Sequence, residues 1–187
     1  MTLMKQLEYR PVGARLRRVS RTLTAMTGEF EDRHGFPPGT NVVRPADHDD
    51  QVAARRLAQV TPAPADLVTF YDSIGDVTWV DVGNGYFLEP AFTSCSGYQE
   101  DGIVDAGTGR KVHGLVIGSN GGGLAYVAGP DGAVYRTRTA SLDEPELDKV
   151  ADGLRQFLEL LEHSLTRLIA DGEMGPVTAG TKRPFCY

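Results

Sequence analysis

Cysteine is scarce in this 187-residue chain: Cys95 and Cys186 stand far apart and in no CxxC spacing. That rules out a zinc ribbon and a disulfide framework, and it makes a reducing cytoplasm the expected compartment. Long apolar runs are missing too, since nothing approaches the roughly 18–20 residues that a membrane-spanning helix needs. The opening MTLMKQLEYRPVGARLRR has no apolar segment of the secretory kind. Basic residues are in deficit, 19 against 25 acidic ones, for a net charge of −6. Such a chain repels phosphate, so neither nucleic acid nor membrane is an expected partner; a basic protein is. HExxH, GxSxG and deaminase signatures are absent. What the chain does have is 41% apolar residues, enough for a core, and 22 glycines, about 12% against a usual ~7%, which favours a turn-rich fold with strands.

Charge is segregated along the chain. Arg10, Arg15, Arg17, Arg18 and Arg21 fall in a stretch whose Leu16, Val19, Leu23, Met26 and Phe30 are spaced as one face of a helix. Gly35-Phe36-Pro37-Pro38-Gly39 ends it. A short helix is expected from about Asp49 to Val60. Another, carrying Leu67, Phe70, Tyr71 and Ile74, is expected to end near Gly75. The pattern then turns to strands: 77–82, 86–88, 111–117, 124–127 and 133–135, the last two joined by the hairpin signal Gly129-Pro130-Asp131-Gly132. Residues 93–110 read as a long loop with a weak strand near Ile103. Val150, Leu154, Phe157, Leu158, Leu161, Leu165 and Leu168 predict a long closing helix up to Gly172. The expected fold is α+β, a mainly antiparallel sheet covered on one face by helices, with an N-terminal helical extension. The expected divisions are an extension over 1–60, a domain over 61–172 and an irregular tail over 173–187.

Three places invite a chemical reading. Asp47-His48-Asp49-Asp50 contains metal-ligand residue types, but acidic residues ahead of a helix are what N-capping and the helix dipole favour, and capping is the preferred reading. Cys95, within Ser94-Cys95-Ser96-Gly97, has no histidine at close sequence spacing and reads as structural. The run Gly118-Ser119-Asn120-Gly121-Gly122-Gly123 lacks the Lys-Ser/Thr of a phosphate loop and precedes a strand rather than a helix. Gly118, Gly121, Gly122 and Gly123 are therefore expected to shape a strand-to-strand connection. No catalytic residue, metal or cofactor is expected.

Three segments in this order resemble the SUKH superfamily of bacterial toxin-immunity proteins and a yeast cell-wall-synthesis regulator. Pro64-Ala65-Asp66-Leu67-Val68-Thr69-Phe70-Tyr71, running on to Gly75, is similar to its P-x-x-L-x-x-F-Y-x-x-x-G helix. Val116 to Val127 is similar to its glycine-rich strand pair, and a strand ending in Val134-Tyr135 follows. Val150 to Leu161 is similar to its closing helix. The likeness spans about residues 61–170 and departs from the family's usual residues at Gly122-Gly123 and Gly153. It implies a non-catalytic, cytoplasmic protein-binding domain, most often an immunity protein that caps a toxin such as a nuclease, as a monomer or weak homo-oligomer. Tyr71, Asp72, Asp76, Trp79, Tyr86, Glu89 and Asp101 flank the helix-to-strand region and are the expected partner surface, although for Tyr71 and Trp79 core packing is the preferred reading. An intracellular scaffold that docks through its basic N-terminal helix is the alternative, and an enzyme using Cys95 or the Asp47–Asp50 cluster the last.

Overall fold

The computed structural model describes residues 35–60, 63–104, 107–143 and 145–171, with positions 14, 17, 18, 20–22, 24, 31 and 32; the side chains of residues 60, 99–102, 104, 168, 169 and 171 fall outside this set. Eight described strands form one antiparallel sheet: β1 (Asn41–Pro45), β2 (Ile74–Trp79), β3 (Tyr86–Leu88), β4 (Tyr98–Val104), β5 (Lys111–Asn120), β6 (Ala125–Ala128), β7 (Val134–Thr137) and β8 (Leu147–Ala151). Four described helices are α1 (His48–Val60), α2 (Ala65–Tyr71), α3 (Ala91–Ser96) and α4 (Leu154–Asp171). The chain is an α+β protein, as its order of helical and alternating segments predicts.

The strands run β1-β2-β3-β5-β6-β7-β8, and β4 also pairs with β5. Because β5 is ten residues long, it accommodates two partners on one edge. Its Gly118–Asn120 end meets β3, and its Lys111–Leu115 end meets β4. The helix α3 fills the chain between those two short strands. The sheet's larger apolar cluster joins Val43, Val77, Trp79, Leu88, Leu115, Ile117, Tyr126 and Val134 to all four helices. Alternation sends Val112, Val127 and Tyr135 to the opposite face, where a smaller cluster includes Ile103 and Ala133. All four residues of β6 are buried, since that strand has apolar cover on both faces. None of the described helices is long and apolar enough to cross a membrane.

Several elements depart from the sequence-based reading. The weak strand expected near Ile103 is the end of β4, but the rest of 93–110 is not a continuous loop: α3 and the start of β4 occupy much of it. Pro90, at φ −65°, leads into α3, which buries Ala91 and Ser94 on one side. The strands β1 and β8 were not expected, and Val150 belongs to β8 rather than to the closing helix. That helix starts at Leu154, where Gln156 Oε1 accepts the Asp152 N–H at 2.6 Å, satisfying a donor at the helix entrance. Ile74 likewise opens β2 instead of closing α2, because Asp72 caps the helix with its N–H on Val68 O and Phe70 O.

At the N-terminal side, positions 14, 17, 18, 20–22 and 24 are helical. The stripe of Leu16, Val19, Leu23, Met26 and Phe30 lies outside the described residues, as does the tail after Asp171. Ser20 is buried and donates from Oγ to the Asn41 carbonyl at 2.7 Å, and Thr24 reaches the same oxygen at 3.0 Å. This carbonyl of β1 is thereby satisfied by side-chain donors.

Candidate functional site

The segment Arg44 to Asp50 joins β1 to α1 and is held by its own charges. Asp47 Oδ1 accepts the N–H groups of Asp49 at 2.9 Å and Asp50 at 3.0 Å, and Asp50 Oδ2 accepts the Asp47 N–H at 3.0 Å. That reciprocal arrangement is a capping box, which is how the acidic cluster serves the helix. Arg44 forks onto Asp50, with Nη1–Oδ2 at 2.6 Å and Nη2–Oδ1 at 3.0 Å, while its Nε reaches Asp76 at 2.5 Å. The hydrogen bonds and charge of Arg44 hold the Asp50 carboxyl below the usual carboxylate range, and the two carboxylates push the guanidinium's pKa up. Among the described residues no group of three or more His, Cys, Asp or Glu is placed to hold a metal ion.

Between α1 and α3 lies an open cleft of about 580 Å³. Val52 and Ala53 on α1 face Phe92 and Cys95 on α3, and Asp47 and Asp49 stand at one end. Ser94 fixes the α3 wall: its Oγ and the Tyr71 hydroxyl share a buried hydrogen bond of 2.6 Å. With Ala91 and Ser94 turned inward, Phe92 on the next helical position is left 71% exposed. The cleft thus brings together Cys95 and the Asp47–Asp50 cluster, two features more than 40 residues apart in sequence. Phe92 was not singled out in the sequence; its signal was the Pro90-Ala91-Phe92 helix start, where only one of two neighbouring apolar residues is buried.

The glycine-rich run is a hairpin connection whose donors are spent internally. Gly121 N–H goes to Gly85 O at 3.1 Å and Gly123 N–H to Asn120 O at 2.9 Å. The N–H groups of Gly122 and Leu124 both go to Asn120 Oδ1, at 3.1 and 2.9 Å. With these four donors engaged, no nest of free N–H groups is left there to cradle a phosphate. Gly118 lies in β5 opposite Leu88, and a Cβ on it would stand 3.0 Å from Leu88 Cδ2 and closer to the Phe87 carbonyl. Gly123 has φ +81°, the left-handed region that glycine adopts without strain.

The residues expected to face a partner do not share one surface. Tyr71 and Trp79 are 1% and 0% exposed and belong to the core, on inward faces of α2 and β2, which bears out the core reading and removes them from the expected partner surface. Burial pushes the Tyr71 hydroxyl's pKa well up, and Trp79 Nε1 donates to Ser20 Oγ at 3.3 Å. Asp76 is bound to Arg44, and Asp72 is the half-buried cap of α2. Tyr86 is half-buried and stacks on Tyr126 with centroids 6.3 Å apart, a position beside the core. Glu89, half-buried, ends β3 with its N–H on Ile117 O. The side chain of Asp101 lies outside the described residues. In comparisons with protein-family models, curated proteins and solved structures, nothing matched this chain.

Proposed function

We propose that this chain is a non-catalytic protein-binding domain of SUKH type, an immunity protein that binds and neutralises a cognate bacterial toxin in the cytoplasm. The observation that carries the reading is the internal use of the glycine run. One of the three segments that resemble the family spends the N–H groups of residues 121–124 on a hairpin, so it acts as scaffold rather than as a ligand loop. The Asp47–Asp50 cluster supports the same reading, because capping and Arg44 already engage Asp47 and Asp50. An acidic chain of net −6 suits capture of a basic toxin such as a nuclease, with charge raising the encounter rate. A scaffold docked through the basic N-terminal helix is favoured less, since Ser20 and Thr24 are turned onto the chain's own Asn41.

The test is genetic and biochemical together. A secreted-toxin gene immediately upstream is expected, and co-expression of this chain should restore growth of cells producing that toxin. No such gene nearby, with a pull-down that recovers no protein, overturns the proposal.

A further inference from the structure

The cleft between α1 and α3 has the make-up of a small protein interface. Its floor is apolar, from Val52 and Ala53. Its wall carries Phe92, whose 71% exposure exceeds that of the other exposed large apolar side chains among the described residues, Phe36, Val80 and Val42. An exposed aromatic beside a groove, rimmed by charge, is the pattern of an anchor that a partner covers.

Charge settles the kind of partner. Asp50 is neutralised by Arg44, and Asp47 is used as a cap with one oxygen 3.4 Å from that guanidinium. The Asp49 carboxylate has no hydrogen-bond or ion-pair partner among the described residues, and it stands at the cleft's end, exposed. Arg56 lines the same cleft from seven residues further along α1, about 10 Å away by helical rise. The groove is therefore anionic at one end, apolar in the middle and cationic at the other. Its complement is a polypeptide segment with Lys or Arg on one side of a large apolar side chain and an acidic residue on the other.

We infer that the α1–α3 cleft is the docking site for an apolar-anchored segment of a partner protein, the apolar side chain seated on Phe92, a Lys or Arg at Asp49 and an acidic residue toward Arg56. The inference rests on the protein-binding reading and names the surface that would do the binding.

The test uses the full chain and a phage-displayed library of random twelve-residue peptides. Selected peptides should carry Lys or Arg within a few positions of an aromatic or large aliphatic residue. Their affinity should drop about tenfold or more for Phe92→Asp and several-fold for Asp49→Lys, the second effect shrinking as salt rises. Bound peptide should also slow maleimide labelling of Cys95 in the cleft wall. Both substitutions are at exposed positions, and unchanged circular dichroism would show that the fold is kept. Failure to enrich such peptides, or peptides that bind the Phe92→Asp chain equally well, overturns the inference. If binding appears only after residues 172–187 are removed, the chain's own tail is the occupant and the partner assignment is wrong. None of these results depends on the growth assay, so the two proposals fail separately.

Discussion

Two adjacent glycines in one turn should respond in opposite ways to the same substitution. A Cβ on Gly121 would stand 2.7 Å from the Asn84 carbonyl carbon and closer still to its oxygen. The obstacle is backbone, and it belongs to the turn whose Gly85 carbonyl receives the Gly121 N–H. Gly121→Ala must therefore push two turns apart and weaken that bond. Overpacking of this sort costs about 1–3 kcal/mol, and a lost hydrogen bond adds about 1 kcal/mol. Against this stands a gain of about 0.4–1 kcal/mol from the stiffer unfolded chain, leaving a net loss of about 1–3.5 kcal/mol. At Gly122 the nearest atom to a new Cβ is Asn120 Oδ1 at 3.3 Å, and the backbone there is not left-handed. Gly122→Ala should stay within about 0.5 kcal/mol of the parent, the entropy gain offsetting the tight contact. Urea unfolding followed by the fluorescence of Trp79, the chain's single tryptophan, separates the two. With a slope of about 2 kcal/mol per molar, Gly121→Ala should lower the midpoint by about 0.5–1.8 M and Gly122→Ala by less than about 0.3 M. Equal midpoints for the two variants would refute the reasoning about backbone contact.

Arg44→Ala should destabilise the fold by about 1–2 kcal/mol, because the guanidinium is only partly exposed and its loss leaves Asp50 and Asp76 without their counter-charge; thermal melts at low and high salt would measure it, and no change would refute the ion cluster's role. The pH response has a sign. Since the folded Asp50 pKa lies below its ordinary 3.8, the stability it contributes is present above that value and is lost as pH falls through the lower folded value. Part of the acid sensitivity below about pH 4 should therefore vanish in Arg44→Ala, as read from urea midpoints across pH. Tyr71→Phe and Ser94→Ala should each cost about 1–2 kcal/mol by orphaning a buried hydroxyl, yet the double variant should cost clearly less than their sum. Strict additivity in chemical denaturation would count against the bond.

What could be read from the residues was mostly local. The Gly129–Gly132 turn, the amphipathic α1 and α4, and the strand pair around the glycine run all carry their signal within a few positions. The strand β1 carries only Val42 and Val43 between a Pro-Gly-rich approach and Pro45, and pairing with β2 is what makes it a strand. The strand β4, Tyr98-Gln-Glu-Asp-Gly-Ile-Val104, looks like a loop by composition; its ladder to β5 breaks register between Gln99 and Ile103, which blurs any alternation. Val150 fell on the helical stripe by coincidence of spacing, although Gly153 lay between it and Leu154. The site follows the same division. The capping role of Asp47 was legible from an acidic cluster ahead of a helix, whereas its meeting with Cys95 and Phe92 depends on α1 and α3 packing side by side. Tyr71 and Trp79 were ambiguous because an aromatic at a helix-to-strand junction serves a core and a surface equally well until the sheet decides.

The two short strands laid end to end along β5 make the cleft a replaceable part. Because β3 and β4 both register on that one strand, the six residues of α3 are an insert clamped at either end by the same ladder. Side chains at positions 92, 93 and 96 are exposed, so they can change character without disturbing a pairing or a packed layer. Positions 91 and 94, by contrast, hold the insert down. The exposed wall of the cleft can therefore change one residue at a time while the sheet stays as it is.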